Sequence, residues 1–391
     1  MMSVSMGARQ AQGLLIGPLS TVREWPLATF SMAVAVHNLM WGLFQPFTGA
    51  AADRWGAAKV AAVGAFAFGL GMVMVATGGS WQTVIGLGVL SGFGLAATSF
   101  SVVLGPIGRA VSAEHRTVAL GMGSAMGSLG MMLLIPVTQE MITVFGPVRA
   151  IWGLSFLSFA SIPMAMLLHK GEKAVLAAPA ERGQQSIKEA LKQASCDNGY
   201  RFLAAGFFVC GFQLAFIGVH LPGYLALCGM NKGAGATALL VIGGFNVIGT
   251  YGMGKLSQRY PPKYVLSAIY LGRAIATFLF AVGPKNEFTL LLFAATMGLL
   301  WLSTVPPTSG LVANLFGPRY LGMLFGGVFL SHQIGSFLGA WLGGLIYDAT
   351  LSYDIMWMAT AALGIFASLV HLPIRDPARD AQPSAAPSQS G

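Results

Sequence analysis

Apolar residues in this chain run in long stretches separated by short polar breaks, without the half-polar faces that a soluble helix or strand needs. Twelve stretches are readable: about 2–19, 27–52, 59–78, 82–108, 117–143 and 147–168, then about 200–226, 234–256, 263–282, 288–312, 319–347 and 354–372. Each approaches the roughly 20 apolar residues that cross a hydrocarbon core about 30 Å thick. The pattern predicts an all-α membrane protein of about twelve spanning helices. One long hydrophilic connection lies between the sixth and seventh. The expected organisation is a six-helix half 1–168, a linker loop 169–199, a second six-helix half 200–372 and a tail 373–391. The 185–194 section is predicted as a short surface helix. The end of the chain, rich in Pro, Ser and Ala, is expected to be disordered.

Composition agrees. Of 391 residues, 55% are hydrophobic and 9% charged; a soluble domain carries roughly 25% charged residues. Too little charge remains to solvate a globule of this size, so lipid covers much of the surface. The net charge of +9 would suggest nucleic acid in a soluble protein. Here it follows from topology. Sixteen of the 22 Lys and Arg fall on one side of the predicted spans and four on the other, with Arg9 and Arg273 inside helices. Cationic loops stay in the cytoplasm, which predicts an inner-membrane protein with a cytoplasmic middle loop and C-terminus. Cys196, Cys210 and Cys228 have no metal-ligand spacing, and an odd number argues against a complete disulfide framework. No cofactor is expected, and with no basic n-region and with Arg9 in the first apolar stretch, no cleavable signal peptide of the usual form is expected either.

The halves repeat at a nearly constant offset. Gly7 and Pro18 are eleven apart, as are Gly211 and Pro222. Gly49-Ala-Ala-Ala-Asp53-Arg54 matches Gly254-Lys-Leu-Ser-Gln258-Arg259. Leu120-Gly121-Met122 matches Leu321-Gly322-Met323. A duplicated six-helix unit follows, and in transporters built this way the site lies near the midplane between the halves. The register exposes one anomaly. Helix one has six residues before Gly7, helix seven about a dozen before Gly211, so helix one is expected to fall short of a full crossing. Either the start lies late or helix one is a half-helix.

Gly49-Ala-Ala-Ala-Asp53-Arg54-Trp-Gly56-Ala-Ala-Lys59 resembles the signature loop between helices two and three of the major facilitator superfamily. Gly49 lets two helices approach. Asp53 can sit against a helix N-terminus, where the dipole favours an anion. Arg54 and Lys59 stay in water. The segment would act as a latch. It departs from the family pattern at Ala57 and Ala58, where basic residues are common. In the second copy Gln258 replaces the acid ahead of Arg259, so that copy should latch less strongly. The competing reading is a plain tight turn.

Further segments resemble the bacterial monocarboxylate and oxalate–formate branch of that superfamily: Gly7-Ala-Arg9-Gln10, Cys210-Gly-Phe-Gln213, His220-Leu-Pro-Gly-Tyr224, Ile242-Gly-Gly-Phe-Asn246 and Ser331-His332-Gln333. The resemblance implies the major facilitator fold of two six-helix bundles, alternating access, and a small organic anion, mono- or dicarboxylate, as cargo by proton symport or anion exchange. Well-studied monocarboxylate carriers of that branch place their key Arg in helix eight with an acid one turn away. This chain has neither there, so their proton-linked scheme does not carry over.

An ionisable group at the bilayer centre costs about 2.5–3.5 kcal/mol by insertion scales, which makes each one a functional candidate. Arg9 and Arg273 fall within helices, while none of the 13 acids lies near a helix midpoint. The buried field is positive, and a substrate carboxylate would supply the missing partner through paired charge-assisted bonds. Arg9, with Gln10 beside it, is the first candidate; the competing reading is an Arg that snorkels to the membrane edge. Arg273 is the second, or else it bonds backbone carbonyls and braces its own half. Gln213 and His220 share a face of helix seven, and Gln213 stands at the repeat position of Arg9. Asn246, His332 and Gln333 sit mid-helix, as do His37 and Asn38. A histidine can carry a coupled proton; for each of these polar groups the alternative is an interhelical hydrogen bond. Trp41 and Tyr224 are candidate walls of the site, or plain packing.

Three readings compete: a carrier of small carboxylates, a drug or metabolite efflux carrier of the same superfamily, and a non-transporting membrane ligand sensor. Efflux of cations is disfavoured by the lack of a membrane acid, and the sensor by the lack of a fused cytoplasmic domain. No HExxH, nucleotide loop or recognisable Ser–His–Asp set supports an enzyme. The expected partners are the anion, protons and lipid, with no nucleic acid and a monomeric working unit.

Overall fold

A computed structural model describes residues 1–176, 186–231 and 233–375. Arg182, Lys232, Arg379 and nearly all of the expected tail lie outside them. Twelve long helices carry the chain: α1 Met2–Arg23, α2 Leu27–Trp55, α3 Ala57–Thr77, α4 Ser80–Ala110, α5 Arg116–Phe145, α6 Pro147–Leu176, α7 Asn198–Leu227, α8 Ala234–Arg259, α9 Pro262–Val282, α10 Glu287–Phe316, α11 Leu321–Thr350 and α12 Asp354–His371. Ten of them, α3 to α12, are long and apolar enough to cross a membrane by length and composition. The other two are more polar, with Arg9, Gln10 and Gln12 in α1 and His37, Asn38 and Gln45 in α2.

The breaks between helices have local causes. Gly56, at φ 96°, turns the chain between α2 and α3 in a conformation that a side chain would strain. The predicted surface helix forms at Ile187–Cys196. The Ser186 hydroxyl accepts the Glu189 amide, and the Glu189 carboxylate accepts the Ser186 amide. That capping box satisfies two otherwise orphaned donors.

The duplication is visible in packing. In the first half α1 lies on α5, α3 on α6 and α2 on α4. In the second α7 lies on α11, α9 on α12 and α8 on α10. Repeat-related glycines make the same close approach: a Cβ on Gly7 would strike the Gly130 carbonyl of α5, and one on Gly211 the His332 carbonyl of α11. The short start of α1 is also visible. Five helical residues precede Gly7, against thirteen before Gly211 in α7. Its first turn packs against Gly127 and Gly130, well inside α5. At its other end α1 runs to Arg23, past the predicted limit at residue 19. Its 22 residues measure about 33 Å at 1.5 Å per residue.

Two predicted spans prove to be interrupted. In α4 the π-helical turn Val84–Leu90 is followed by a break at Ser99, whose extended backbone (φ −108°, ψ −154°) separates Ser91–Thr98 from Phe100–Ala110. In α10 the helix Glu287–Leu300 stops, and Val305–Phe316 resumes after a short non-helical link. The breaks stand at repeat-related positions.

Candidate functional site

The two halves meet along two helix pairs, α2 with α11 and α5 with α8. Both seams begin at the face carrying Arg54, Lys59, Arg109, Arg116, Arg259 and Arg319, called here the cation-rich face. Repeat-related glycines build both. A Cβ on Gly49 would collide with the Gly322 backbone, and one on Gly254 would lie 2.9 Å from the Gly121 Cα. Each glycine of the signature copy in one half thus meets the start of the fifth helix of the other. Small residues allow this approach because no side chain stands between the backbones. The seams continue to mid-helix. The Gln333 amide donates to the Asn38 carbonyl at 3.0 Å, and the Asn246 amide donates to the Ser128 hydroxyl at 3.0 Å.

At the cation-rich end the first seam is locked. The Asp53 carboxylate accepts the Met323 amide at 2.8 Å, at the N-terminus of α11, and Arg109 Nη1 at 2.6 Å. The same Arg109 nitrogen reaches the Arg319 carbonyl at 3.3 Å. A buried carboxylate therefore bridges α2, α4 and α11, helped by the helix dipole. Among the described residues this is the single ion pair. Arg109 carries no motif in the sequence; only its place at the end of α4 hints at the role. Arg54 and Lys59 are exposed, as is Arg259, which lies 5.9 Å from the Tyr260 ring.

Arg9 lies beside the inner end of that seam. Its Nη2 donates to the Asn38 side chain at 3.0 Å and its Nη1 to Gln10 at 3.3 Å, and the guanidinium sits 4.9 Å from the Trp41 ring centroid. It faces α2. All three partners are neutral. Gln10 itself is exposed, while Gln333 and Trp41 are buried.

Arg273 is placed otherwise. Its side chain is fully buried, and its five N–H groups have five acceptor contacts: the Leu300 carbonyl twice, the Trp301 carbonyl, Cys210 Sγ at 3.3 Å and Gln213 Oε1 at 3.4 Å. No donor is left for cargo in this conformation. The expectation of substrate contact gives way to the alternative reading, a brace for the carbonyls freed where α10 breaks. Gln213 is spent in the same cluster, donating to the Thr360 carbonyl at 3.0 Å. Its repeat relation to Arg9 does not extend to a shared orientation.

The other candidates scatter. His220 bonds the Ala340 carbonyl at 2.8 Å and the Tyr353 hydroxyl at 3.2 Å, inside the second half. Tyr224 packs on Trp357 in the same apolar cluster. His332 lies between Phe207 and Phe329, with Nδ1 3.1 Å from the Gln333 side chain. Asn246 also accepts the Leu302 amide at 3.0 Å, so it holds the α10 break while joining the halves. The structure thus gathers Arg9, Gln10 and Gln333 around Asn38 and Trp41. It leaves Arg273, Gln213 and His220 in the interior of the second half.

Comparison with known proteins agrees with this architecture. The Major Facilitator Superfamily profile matches residues 1–284 and again 245–390. The chain is 24% identical over 378 residues to the uncharacterised MFS-type transporter YcxA of Bacillus subtilis, covering 92% of this chain and 89% of that one. It is 25% identical over 386 residues to monocarboxylate transporter 11 of Mus musculus, covering 94% and 84%. Among solved structures, a bacterial homologue of the iron transporter ferroportin in its outward-facing state superposes with a TM-score of 0.74 at 15% identity, over 95% of this chain and 96% of that one. Two interlocked six-helix halves and a profile match along nearly the whole chain lead to one conclusion: the protein belongs to the Major Facilitator Superfamily, as a multi-pass membrane transporter and not an enzyme.

Proposed function

We propose that this protein is a secondary active transporter of a small organic anion, a mono- or dicarboxylate, working by alternating access. The observation that carries the reading is Arg9: a guanidinium within the bundle, bonded only to neutral groups, at the inner end of a seam between the halves. Two of its five N–H groups are used, so a carboxylate can take two parallel bonds from the rest. The similarity to a mouse protein named as a monocarboxylate transporter supports the same class.

Gln10 and Gln333 would complete the polar wall, with His332 behind Gln333. Asn246 would act at the second seam. Gly49, Asp53, Arg54, Gly56, Lys59 and Arg259 belong to the gate. The working unit is a monomer in the inner membrane, with halves 1–168 and 200–372, and with the linker 169–199 and tail 373–391 in the cytoplasm. The excess of cations on the latch face supports that orientation. The conformation is then closed to the cytoplasm and directed outward.

Anion exchange is favoured over proton symport. An empty return would bury the Arg9 charge without a partner, which costs several kcal/mol. Purified protein in proteoliposomes, given labelled mono- and dicarboxylates, is expected to show saturable uptake that unlabelled acids compete away. Absence of uptake for every acid, with or without internal anion and pH gradient, would remove the carboxylate reading.

A further inference from the structure

We infer that the second segment of α4, hung on α2 at Ser99, transmits occupancy of the Arg9 site to the Asp53 latch, with Ser99 as the positioning residue. The inference rests on the reading of Arg9 as the anion site.

Each link is a contact in the structure. Arg9 stands 4.9 Å from the Trp41 ring. The Trp41 indole N–H donates to Ser99 Oγ at 3.0 Å, and the Gln45 amide donates to the same oxygen at 2.7 Å. Gln45 also accepts the Ser101 hydroxyl on the far side of the break. One face of α2 therefore holds both edges of the interruption. Beyond it, Phe100–Ala110 carries Arg109, the residue that grips Asp53 and the Arg319 carbonyl. The same segment lies against the start of α11: a Cβ on Gly322 would lie 2.6 Å from the Ser101 carbonyl, and one on Gly108 would lie 2.6 Å from Leu321. A shift of Phe100–Ala110 must therefore move the Arg109 grip and the α11 terminus together.

The other half shows why this break, and not its repeat partner, is the moving one. Trp41 and Asn246 stand 205 positions apart, the offset of the two signature copies, and each bonds the break in its own half. In α10, however, Arg273 fixes the Leu300 and Trp301 carbonyls while Asn246 fixes the Leu302 amide. That break is clamped on both sides by a buried cation and an amide. In α4 the clamp is made of neutral groups alone, Trp41 and Gln45 on the Ser99 hydroxyl and Gln45 on the Ser101 hydroxyl, and Trp41 carries the Arg9 contact. Neutral bonds of this kind contribute about 0.5–1.5 kcal/mol each, within reach of what anion binding can offset. An anion that draws the guanidinium off the indole frees Trp41 to turn, and the Ser99 bond turns with it.

The test uses full-length protein in lipid nanodiscs. Cys196 and Cys228 are changed to Ser, buried Cys210 is retained, and spin labels are placed at Glu114→Cys and Tyr264→Cys, exposed positions on opposite halves at the latch face that lie outside the gate. Binding of lactate and oxalate is read by tryptophan fluorescence, and the label distance by pulsed electron resonance. For the unsubstituted Ser99 protein, anion is expected to lengthen the distance. For Ser99→Ala, affinity should stay within about threefold, the anion-driven lengthening should vanish, and exchange in proteoliposomes should slow at least tenfold. Ser99→Thr, which keeps the acceptor oxygen, should behave as the unsubstituted protein. In an Asp53→Asn background Ser99→Ala should add less than twofold, because its route to the latch is already cut. Full lengthening in Ser99→Ala, failure of Ser99→Thr to restore coupling, or multiplicative effects with Asp53→Asn each overturn the inference. If neither acid binds the unsubstituted protein, the anion-site reading fails first and this inference falls with it. Anion binding without any change in label distance overturns the transmission alone.

Discussion

Two arginines lie within the bundle, and their surroundings separate them. Arg273 has five acceptor contacts, three of them with backbone carbonyls at a helix break, and is fully buried. Arg9 meets two amide oxygens and an aromatic face. The sequence marks both as exceptional, because a guanidinium in a spanning helix is rare whatever it does. It does not tell them apart, since the carbonyls that satisfy Arg273 become available only when α10 is interrupted. The same limit applies to Gln213, whose repeat relation to Arg9 places it on the corresponding turn without fixing which neighbour its side chain meets. The two arginines should respond to substitution in opposite ways. Arg9→Lys keeps the charge and loses the planar fork; anion affinity by fluorescence titration is expected to fall at least tenfold, about 1.4 kcal/mol, with little change in thermal stability. Arg273→Leu strands buried carbonyls that cost about 1–3 kcal/mol apiece when unpaired. It is expected to lower the melting temperature in detergent clearly, and a melting curve matching the unsubstituted protein would show that the brace is dispensable.

At the scale of helices, the spans, the linker helix and the duplication were all legible, because each is a property of local composition or of register. The interruption of α4 was not. No Gly or Pro stands at Ser99 or its immediate neighbours, Thr98 and Phe100; the break is held by Trp41 and Gln45, more than fifty positions away in the chain. Tertiary bonds override helix propensity there. In α10 a signal existed in Pro306-Pro307, which sit in the first turn of the resumed helix, where proline is tolerated. The seams give the scale its own prediction. Gly254 faces the Thr117 carbonyl and Gly121, and Gly310 faces the Thr117 side chain. A cysteine at Thr117 should therefore react slowly with a water-soluble thiol reagent. Adding Gly254→Leu, which has no room without moving backbone, should speed that reaction at least tenfold by wedging α5 from α8. Asp53→Asn should open the other seam more gently. It keeps an acceptor for the Met323 amide but loses the charge-assisted bond to Arg109, worth roughly 1.5–3 kcal/mol, enough to shift the closed-to-open ratio by about 10- to 150-fold in label-distance measurements.

For the whole molecule, the decisive feature of the proposed cycle is a positive charge in the first half, beside the seam along which the two halves meet. Asp53 and Arg109 already neutralise each other at the latch, and no other ion pair occurs among the described residues. The Arg9 charge can then be relieved only by something that enters. On the proposed exchange reading, a carrier loaded with an anion presents a neutralised pair to the closing halves; an empty carrier presents a guanidinium held only by neutral groups, and the difference is several kcal/mol. That asymmetry should appear in kinetics before it appears in any structure. Vesicles preloaded with unlabelled oxalate or lactate are expected to take up labelled acid at least tenfold faster than empty vesicles. A pH gradient alone should give little accumulation. Arg9→Gln removes the charge that penalises empty return, so whatever residual transport it retains should be indifferent to preloading. Uptake driven by an inward proton gradient into empty vesicles would contradict the exchange reading, because it would require a titratable partner that compensates Arg9 on the way back.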